Sequence, residues 1–528
     1  MHQPLRGFIR RQIRRLVHGD RQVVAAPPLV GEPRLVNRAV RLAGIVATGL
    51  LFGSCPRHSS VEHGSERKGP VAAANEAESG GPSRADAAGT SSAREDAPGG
   101  SPAAASPCPR RDGLSLESLP DLPPSRHAAV LDAVWRTVWA RHYDPTFGCV
   151  DWPAKRLIYG DRLRQVDDVE AAYAHINAML GELGVSHLVA LPPYRASAAR
   201  GVGDGRLPFR VRWIQGQAVV TQTDRFGPPS GVPAGAVLTQ IGEVRVADIE
   251  RRTVAAASSR AHVDTLIVNA LDDVLRCVVG TTRRVDFLDP GAADRTESRR
   301  VSCQAPPGRR VDFGHLTGLA VDVQSRMLDH ATAYLAFNVW MLPAVDELRR
   351  RVAEFVTREV GCLVLDLRGN PGGVGAMVIP VASLFVSRTT PLGQLDMRDF
   401  TQRLDARPTA NERPFLGPVA VLVDSQTAST SEIFTAAMLA HGRIRVYGAT
   451  STAGMALPSL IERLPDGGLL QYAVGRYRGP DGSEPEGAGI APNVTVPVAR
   501  ADYVAGRDPV LERALADRCS FGTLAGQP

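Results

Sequence analysis

The chain runs to 528 residues, 44% of them hydrophobic and 22% charged, which is enough for a sizeable core and roughly three or four domains. Its net charge of +6 comes from scattered arginines without interleaved aromatic residues, which argues against a nucleic-acid surface. The seven cysteines contain no C-x-x-C pair, which leaves zinc sites and thioredoxin-like redox chemistry without support.

The first 35 residues are Arg-rich and have no useful apolar run. Residues 36–55 then read as a targeting segment. Arg38 and Arg41 form a basic region, Leu42 to Phe52 a short apolar one, and Ser54-Cys55 ends it in the manner of a bacterial lipoprotein signal. The run is too short for a transmembrane helix. Phe52 stands where a smaller aliphatic residue is usual, so an ordinary secretory signal or a buried helix stays open. A start at Val36 would explain the odd leader, and N-terminal sequencing tests it. Residues 56–112 are Ala, Gly, Ser, Pro and charge, too poor in large apolar side chains to offset their ordering entropy, and read as a disordered tether.

The folded part begins near 115. His127 to His142 places Val130, Leu131, Val134, Val138 and Trp139 at helical spacing, and Val169 to Leu183 repeats this with Ala172, Ile176, Met179 and Leu180 before Gly184. Residues 115–195 therefore read as a helical N-terminal subdomain. Residues 205–300 switch to short strands: 209–213 and 218–221, then the small-residue run 231–242. Leu266 to Leu275 reads as a helix beside them. That pattern is similar to a PDZ domain. Residues 310–500 alternate strand and helix: strands 333–338, 361–367, 419–423 and 444–447, helices 345–356 and 431–440. Near-continuous apolar strands between helices imply an α/β domain with its sheet covered on both faces. Residues 501–528 read as a C-terminal tail. Cys362 reads as a plain core residue of its strand. Cys108 with Cys149, and Cys277 with Cys303, are candidate disulfides in an exported protein, which spacing alone does not decide.

Two segments carry chemistry. The strand ending Leu365-Asp366-Leu367 runs into Arg368-Gly369-Asn370-Pro371-Gly372-Gly373, where glycines let backbone N–H groups approach a ligand. The strand ending at Val423 leads to Asp424-Ser425-Gln426-Thr427-Ala428-Ser429-Thr430-Ser431-Glu432. Ser429 and Glu432 have capping-box spacing, so a helix begins at Ser429, and a hydroxyl there suits nucleophilic attack. Alone, each segment reads equally as a tight turn or a helix cap.

Together they resemble the C-terminal processing peptidases, a family that includes the tricorn-type core proteases. The likeness extends to Tyr334-Leu335-Ala336-Phe337-Asn338 before the glycine turn, and to Glu486-Gly487-Ala488-Gly489-Ile490-Ala491-Pro492-Asn493, with Asn493 where Asp is usual. Asp144 and Trp152 match its N-terminal region, so the resemblance covers about 120–497. It implies a crotonase-like α/β catalytic domain, Ser429 as nucleophile, and an oxyanion hole from the amides of Thr430 and Gly372 or Gly373. Many members use a lysine base. This chain has two lysines, Lys68 and Lys155, and the matching stretch Gly448 to Ala456 contains none. The tricorn-like branch uses a histidine instead, and Leu183-Gly184-Val185-Ser186-His187 fits its motif. His187 is then the base, with Ser186 and Glu486 supporting it. His441 and His330 match no motif and read as surface or loop residues.

The expectation is a serine-type endopeptidase, exported from a bacterial cytoplasm and periplasmic or lipid-anchored at Cys55. It would act on protein or peptide chains, with the PDZ-like groove as a candidate site for meeting them at the C-terminus. No metal or organic cofactor and no nucleic acid is implied. The rival reading, a catalytically inactive peptide-binding protein on the same fold, rests on the absent lysine, Asn493 and the Met455 loop.

Overall fold

The computed structural model describes residues 108, 116, 119–196, 204–223, 229–256, 263–314, 316–408 and 413–517. The targeting segment and nearly all of the tether lie outside these. Three helices come first: α1 Ala128–Arg141, α2 Trp152–Arg162 and α3 Val169–Gly181. Asp151 caps α2 by accepting from Ala154 N–H at 3.1 Å, and Asp168 caps α3 by accepting from Ala171 N–H at 2.7 Å. The buried face of α1 is Val130, Leu131, Val134, Trp135, Val138 and Trp139, as its spacing predicts. Strand β1 (Val189–Leu191) follows the Ser186-His187 pair.

The insert holds β2 (Arg210–Ile214), β3 (Gln217–Gln222), β4 (Val237–Ile241), helices α4 (Val246–Ala256) and α5 (Val263–Val274), β5 (Thr282–Asp289) and β6 (Arg295–Ser302). Its strands form one antiparallel sheet in the order β2-β3-β4-β5-β6. Leu207, Phe209, Leu238, Ile267, Leu271 and Phe287 are among its core residues.

The large sheet is built from β7 (Val323–Met327), β8 (Thr332–Phe337), helix α6 (Leu342–Thr357), β9 (Cys362–Asp366), β10 (Val419–Val423), helix α7 (Thr430–Ala440) and β11 (Ile444–Gly448). A hairpin of β12 (Ser459–Arg463) and β13 (Leu469–Ala473) comes before its last strand, β14 (Val494–Thr495). The sheet order is β7-β8-β9-β10-β11-β14, parallel except at β7, with Leu335, Leu365, Val421 and Val446 in register. Every residue of β9 and β10 is buried, the signature of strands covered on both faces. The β12–β13 hairpin reaches back to pair with β1 and shares the core of the helical subdomain through Leu470 and Tyr472.

Two readings change. The segment expected to be a tail carries α8 (Arg500–Val504) and α9 (Pro509–Ala516), and Val510 and Ala514 of α9 are buried against the sheet. Their shortness and mixed polarity hide them from a periodicity argument. Cys362 is not a plain core residue but half of a disulfide. Cys108–Cys149 and Cys277–Cys303 are bonded. Among the described residues, no helix is long and apolar enough to cross a membrane.

Candidate active site

The two chemistry-bearing turns leave the same ends of adjacent parallel strands, β9 and β10, the edge at which open α/β sheets hold their ligands. Polar side chains tie them together. Thr427 Oγ1 donates to Leu367 O at 2.9 Å, and Asp424 Oδ1 accepts Gly369 N–H at 2.9 Å. The Asn370 carbonyl takes Ala428 N–H at 3.1 Å and the Ser431 hydroxyl at 3.1 Å. Trp340 Nε1 donates to that hydroxyl at 2.8 Å.

Ser429 stands at the head of α7 with φ 57° and ψ −119°, a conformation uncommon for a residue with a side chain. Its side-chain oxygen has no hydrogen-bond partner among the described residues, and the residue is 0% exposed. The cap is made by Glu432, which accepts Ser429 N–H at 3.0 Å. Glu432 does more than its capping-box spacing suggests. It also accepts Gly454 N–H, Met455 N–H and the Thr452 hydroxyl, at 2.8, 2.9 and 2.6 Å. Burial pushes its carboxyl up to about 7 despite those donors.

Gly372 packs directly on Ser429: a Cβ there would lie 2.7 Å from Ser429 Cβ and 2.9 Å from Thr430 N. Its own N–H donates to Asn370 Oδ1 at 3.0 Å. The Gly373 carbonyl accepts the Thr430 hydroxyl at 2.9 Å, which fixes the glycine turn against the first residue of α7.

From the helical subdomain come Ser186 and the buried His187. Ser186 Oγ lies 2.7 Å from His187 Nδ1 and 2.9 Å from Glu486 Oε2, while Ser186 N–H donates to Glu486 Oε1 at 2.8 Å. A serine hydroxyl has one proton and a carboxylate only accepts. Ser186 therefore donates to Glu486 and accepts from His187 Nδ1–H, which makes Nε2 the basic nitrogen of the neutral ring. Burial holds the imidazole down at about 3. Glu486 Oε2 also accepts Ala456 N–H at 2.8 Å, and the neighbouring Met455 carbonyl accepts Ser429 N–H at 2.8 Å. One two-residue stretch, Met455-Ala456, thus joins the Ser186–His187–Glu486 group to the backbone of Ser429.

The remaining expectations sort plainly. Lys155 is ion-paired with Glu182 in the helical subdomain. His441 bonds the Pro391 carbonyl at 2.6 Å, and His330 is exposed. Asn493 accepts Val446 N–H at 2.8 Å, an acceptor role that an amide serves as well as a carboxylate. Sequence reasoning missed Asn370, Thr427 and Asp424 as ties, although all three lie inside the two motifs. The insert also reaches the site. Arg212 pairs with Asp424 at 2.6 Å, and Leu266 of α5 packs on Ala428, Ala453 and Met455. A cleft of about 680 Å³ opens beside the strand ends, lined in part by Arg210, Arg368, Asp424, Tyr503 and Asp508.

Residues 331–496 match the model of peptidase family S41. Over 150 residues the chain is 31% identical to "Probable CtpA-like serine protease" of Staphylococcus haemolyticus, covering 28% of this chain and 30% of that one. A second such protein, of Staphylococcus epidermidis, is matched over 33% of its length, so the chain spans well under half of these curated relatives. It is 25% identical over 376 residues to "Carboxyl-terminal-processing peptidase 3, chloroplastic" of Arabidopsis thaliana, covering 68% of this chain and 67% of that one. Among solved structures, mature CPAF superposes with a TM-score of 0.52 at 12% identity, covering 75% of this chain and 99% of that chain, a likeness of fold.

Proposed function

We propose, from the match of residues 331–496 to the model of peptidase family S41, that this chain is a serine-type endopeptidase working by a Ser-His mechanism. Ser429 Oγ attacks the carbonyl carbon of a peptide bond, and its proton passes to His187 Nε2. The carbonyl oxygen takes the negative charge and is held by the Thr430 and Gly373 amides. Gly373 is the better of the two glycine donors because Gly372 N–H already serves Asn370. The C–N bond then breaks, the leaving amine takes the proton from His187, and water repeats the sequence on the acyl-enzyme.

The observation that carries this reading is the relay from His187 Nδ1 through Ser186 Oγ to Glu486, with steps of 2.7 and 2.9 Å. It sets the ring's tautomer and gives the imidazolium a carboxylate one hydroxyl away. Residues 115–195 act as the subdomain that supplies the base, 205–300 as a PDZ-like insert, and 310–500 as the crotonase-like catalytic domain. The five antiparallel strands, with α5 packed beside β2, support the insert's assignment. Protein or peptide chains are the substrates, met at the C-terminus by that insert. The disulfides support export to an oxidising compartment, the periplasm or the membrane surface. An anchor at Cys55 falls outside the described residues.

Labelling with a fluorophosphonate tests the assignment. The wild type is labelled, and Ser429→Ala abolishes both labelling and peptide hydrolysis. His187→Ala stays folded and loses roughly a thousandfold or more in turnover. An unlabelled wild type that still binds peptides would overturn the enzyme reading.

A further inference from the structure

Residues 497–517 lie beyond the stretch that matches the family model, yet they touch both the insert and the glycine turn. On one side, Val498 and Tyr503 pack on Ile214, Val219 and Val237 of the insert, and Arg500 Nε donates to Gly235 O at 2.6 Å. On the other, α9 buries Val510 and Ala514 against Tyr334, Val364 and Leu422 of the large sheet. Asp508 stands between these two attachments.

Asp508 grips Arg368, the second residue of the turn that runs from Leu367 to Gly373. Arg368 Nη1 and Nη2 donate to its two carboxylate oxygens at 2.8 Å each. The other edge of the guanidinium, Nε and Nη2, donates to Asp366 at 3.0 and 2.7 Å. The planar fork is thus held from two sides, a fit that lysine could not make. Arg210 of the insert donates to the Arg368 carbonyl at 3.2 Å. Two cations and two carboxylates therefore surround the start of the turn. Asp366 belongs to β9, the strand that leads directly into the turn. Asp508 comes from 140 positions away and ties the turn to an outside element.

We propose that Asp508 is a positioning residue for acyl transfer, acting through Arg368 to hold the Leu367–Gly373 turn where Gly373 can donate to the oxyanion. The inference rests on the peptidase reading above. Its physical basis is that oxyanion donors act only over a narrow range of position, and a turn that swivels at its first residues misplaces its last. Asp508 also caps α9, accepting Leu511 N–H at 3.2 Å, so the bland alternative is a cap and nothing more.

Asp508→Ser separates the two, because serine caps a helix as well as aspartate but cannot hold a guanidinium. Its kcat is expected to fall about tenfold or more, with KM within about twofold of wild type and melting temperature nearly unchanged. Asp508→Glu, which keeps the charge, recovers most of that loss. Hydrogen exchange over 367–374, compared in the Ser429→Ala background, should speed up in Asp508→Ser, a readout that needs no turnover. Unchanged exchange and unchanged kcat in Asp508→Ser, with an active wild type, overturn the inference and leave the peptidase reading standing. A wild type inert to fluorophosphonate and to peptides overturns the peptidase reading and Asp508's catalytic purpose with it, even if the exchange difference appears.

Discussion

His187 sits where an imidazole is easiest to orient and hardest to charge. It is 1% exposed, and burial lowers its pKa from an ordinary 6.5 to about 3. The sign of the stability effect follows. Above pH 6.5 both folded and unfolded chains hold the ring neutral. Below it, the unfolded chain takes up a proton that the folded one refuses until about pH 3, so stability falls as pH drops through that window. Between pH 7 and 5 the wild type should lose about 2 kcal/mol that His187→Gln does not lose, measured by urea unfolding at each pH. If the two lose stability in parallel, the ring is charged in the fold and the relay tautomer is wrong. This residue was legible in the sequence only through its motif, Ser186-His187, because nothing local marks a histidine as buried. The relay itself joins positions 186 and 486, and no periodicity connects those.

At the scale of elements, strands β9 and β10 and helix α7 were readable because their physics is local: unbroken apolar runs for strands buried on both faces, and a capping residue where the helix begins. The turn after β9 was readable as a turn from its glycines. What could not be read was which glycine does what. Gly372 is needed for its closeness to Ser429, whereas Gly373, at φ 151°, lies so near the Trp340 carbonyl that a Cβ would overlap it. Gly375, two positions on, has nothing among the described residues within 4 Å of an added Cβ. Gly373→Ala should therefore cost about 3 kcal/mol or more and abolish fluorophosphonate labelling, while Gly375→Ala leaves both nearly unchanged. Thermal melts and labelling of the two variants side by side check this. The tail was misread for the opposite reason. Helices of five and eight residues carry too few apolar positions to show a period, and their stability comes from surfaces elsewhere in the chain, such as Val364 and Leu422.

Across the whole molecule, Ser429 is sealed in this state. Its loop partners Ala428, Ala453 and Met455 are buried together, and Leu266 of the insert is packed against them. Neighbouring contacts hold the insert in place: Arg212 on Asp424 at 2.6 Å, and Gln426 Nε2 on Asn269 Oδ1 at 3.4 Å. On the peptidase reading proposed above, a peptide reaches Ser429 only when this cover parts, which makes access a step separate from the chemistry. Leu266→Ala removes apolar bulk from the cover without touching a polar tie. The leucine is only partly buried, so the stability loss should stay near 1 kcal/mol. The rate of fluorophosphonate labelling should rise by about threefold or more, because the probe no longer waits for as large an opening. A slower rate would mean that Leu266 braces the Met455 loop in its working position rather than covering it. The same experiment on Met455→Ala is not equivalent, since truncating that buried side chain loosens the loop whose backbone holds Ser429 and Glu432. The insert's hold on the site is therefore best probed from the insert's own side.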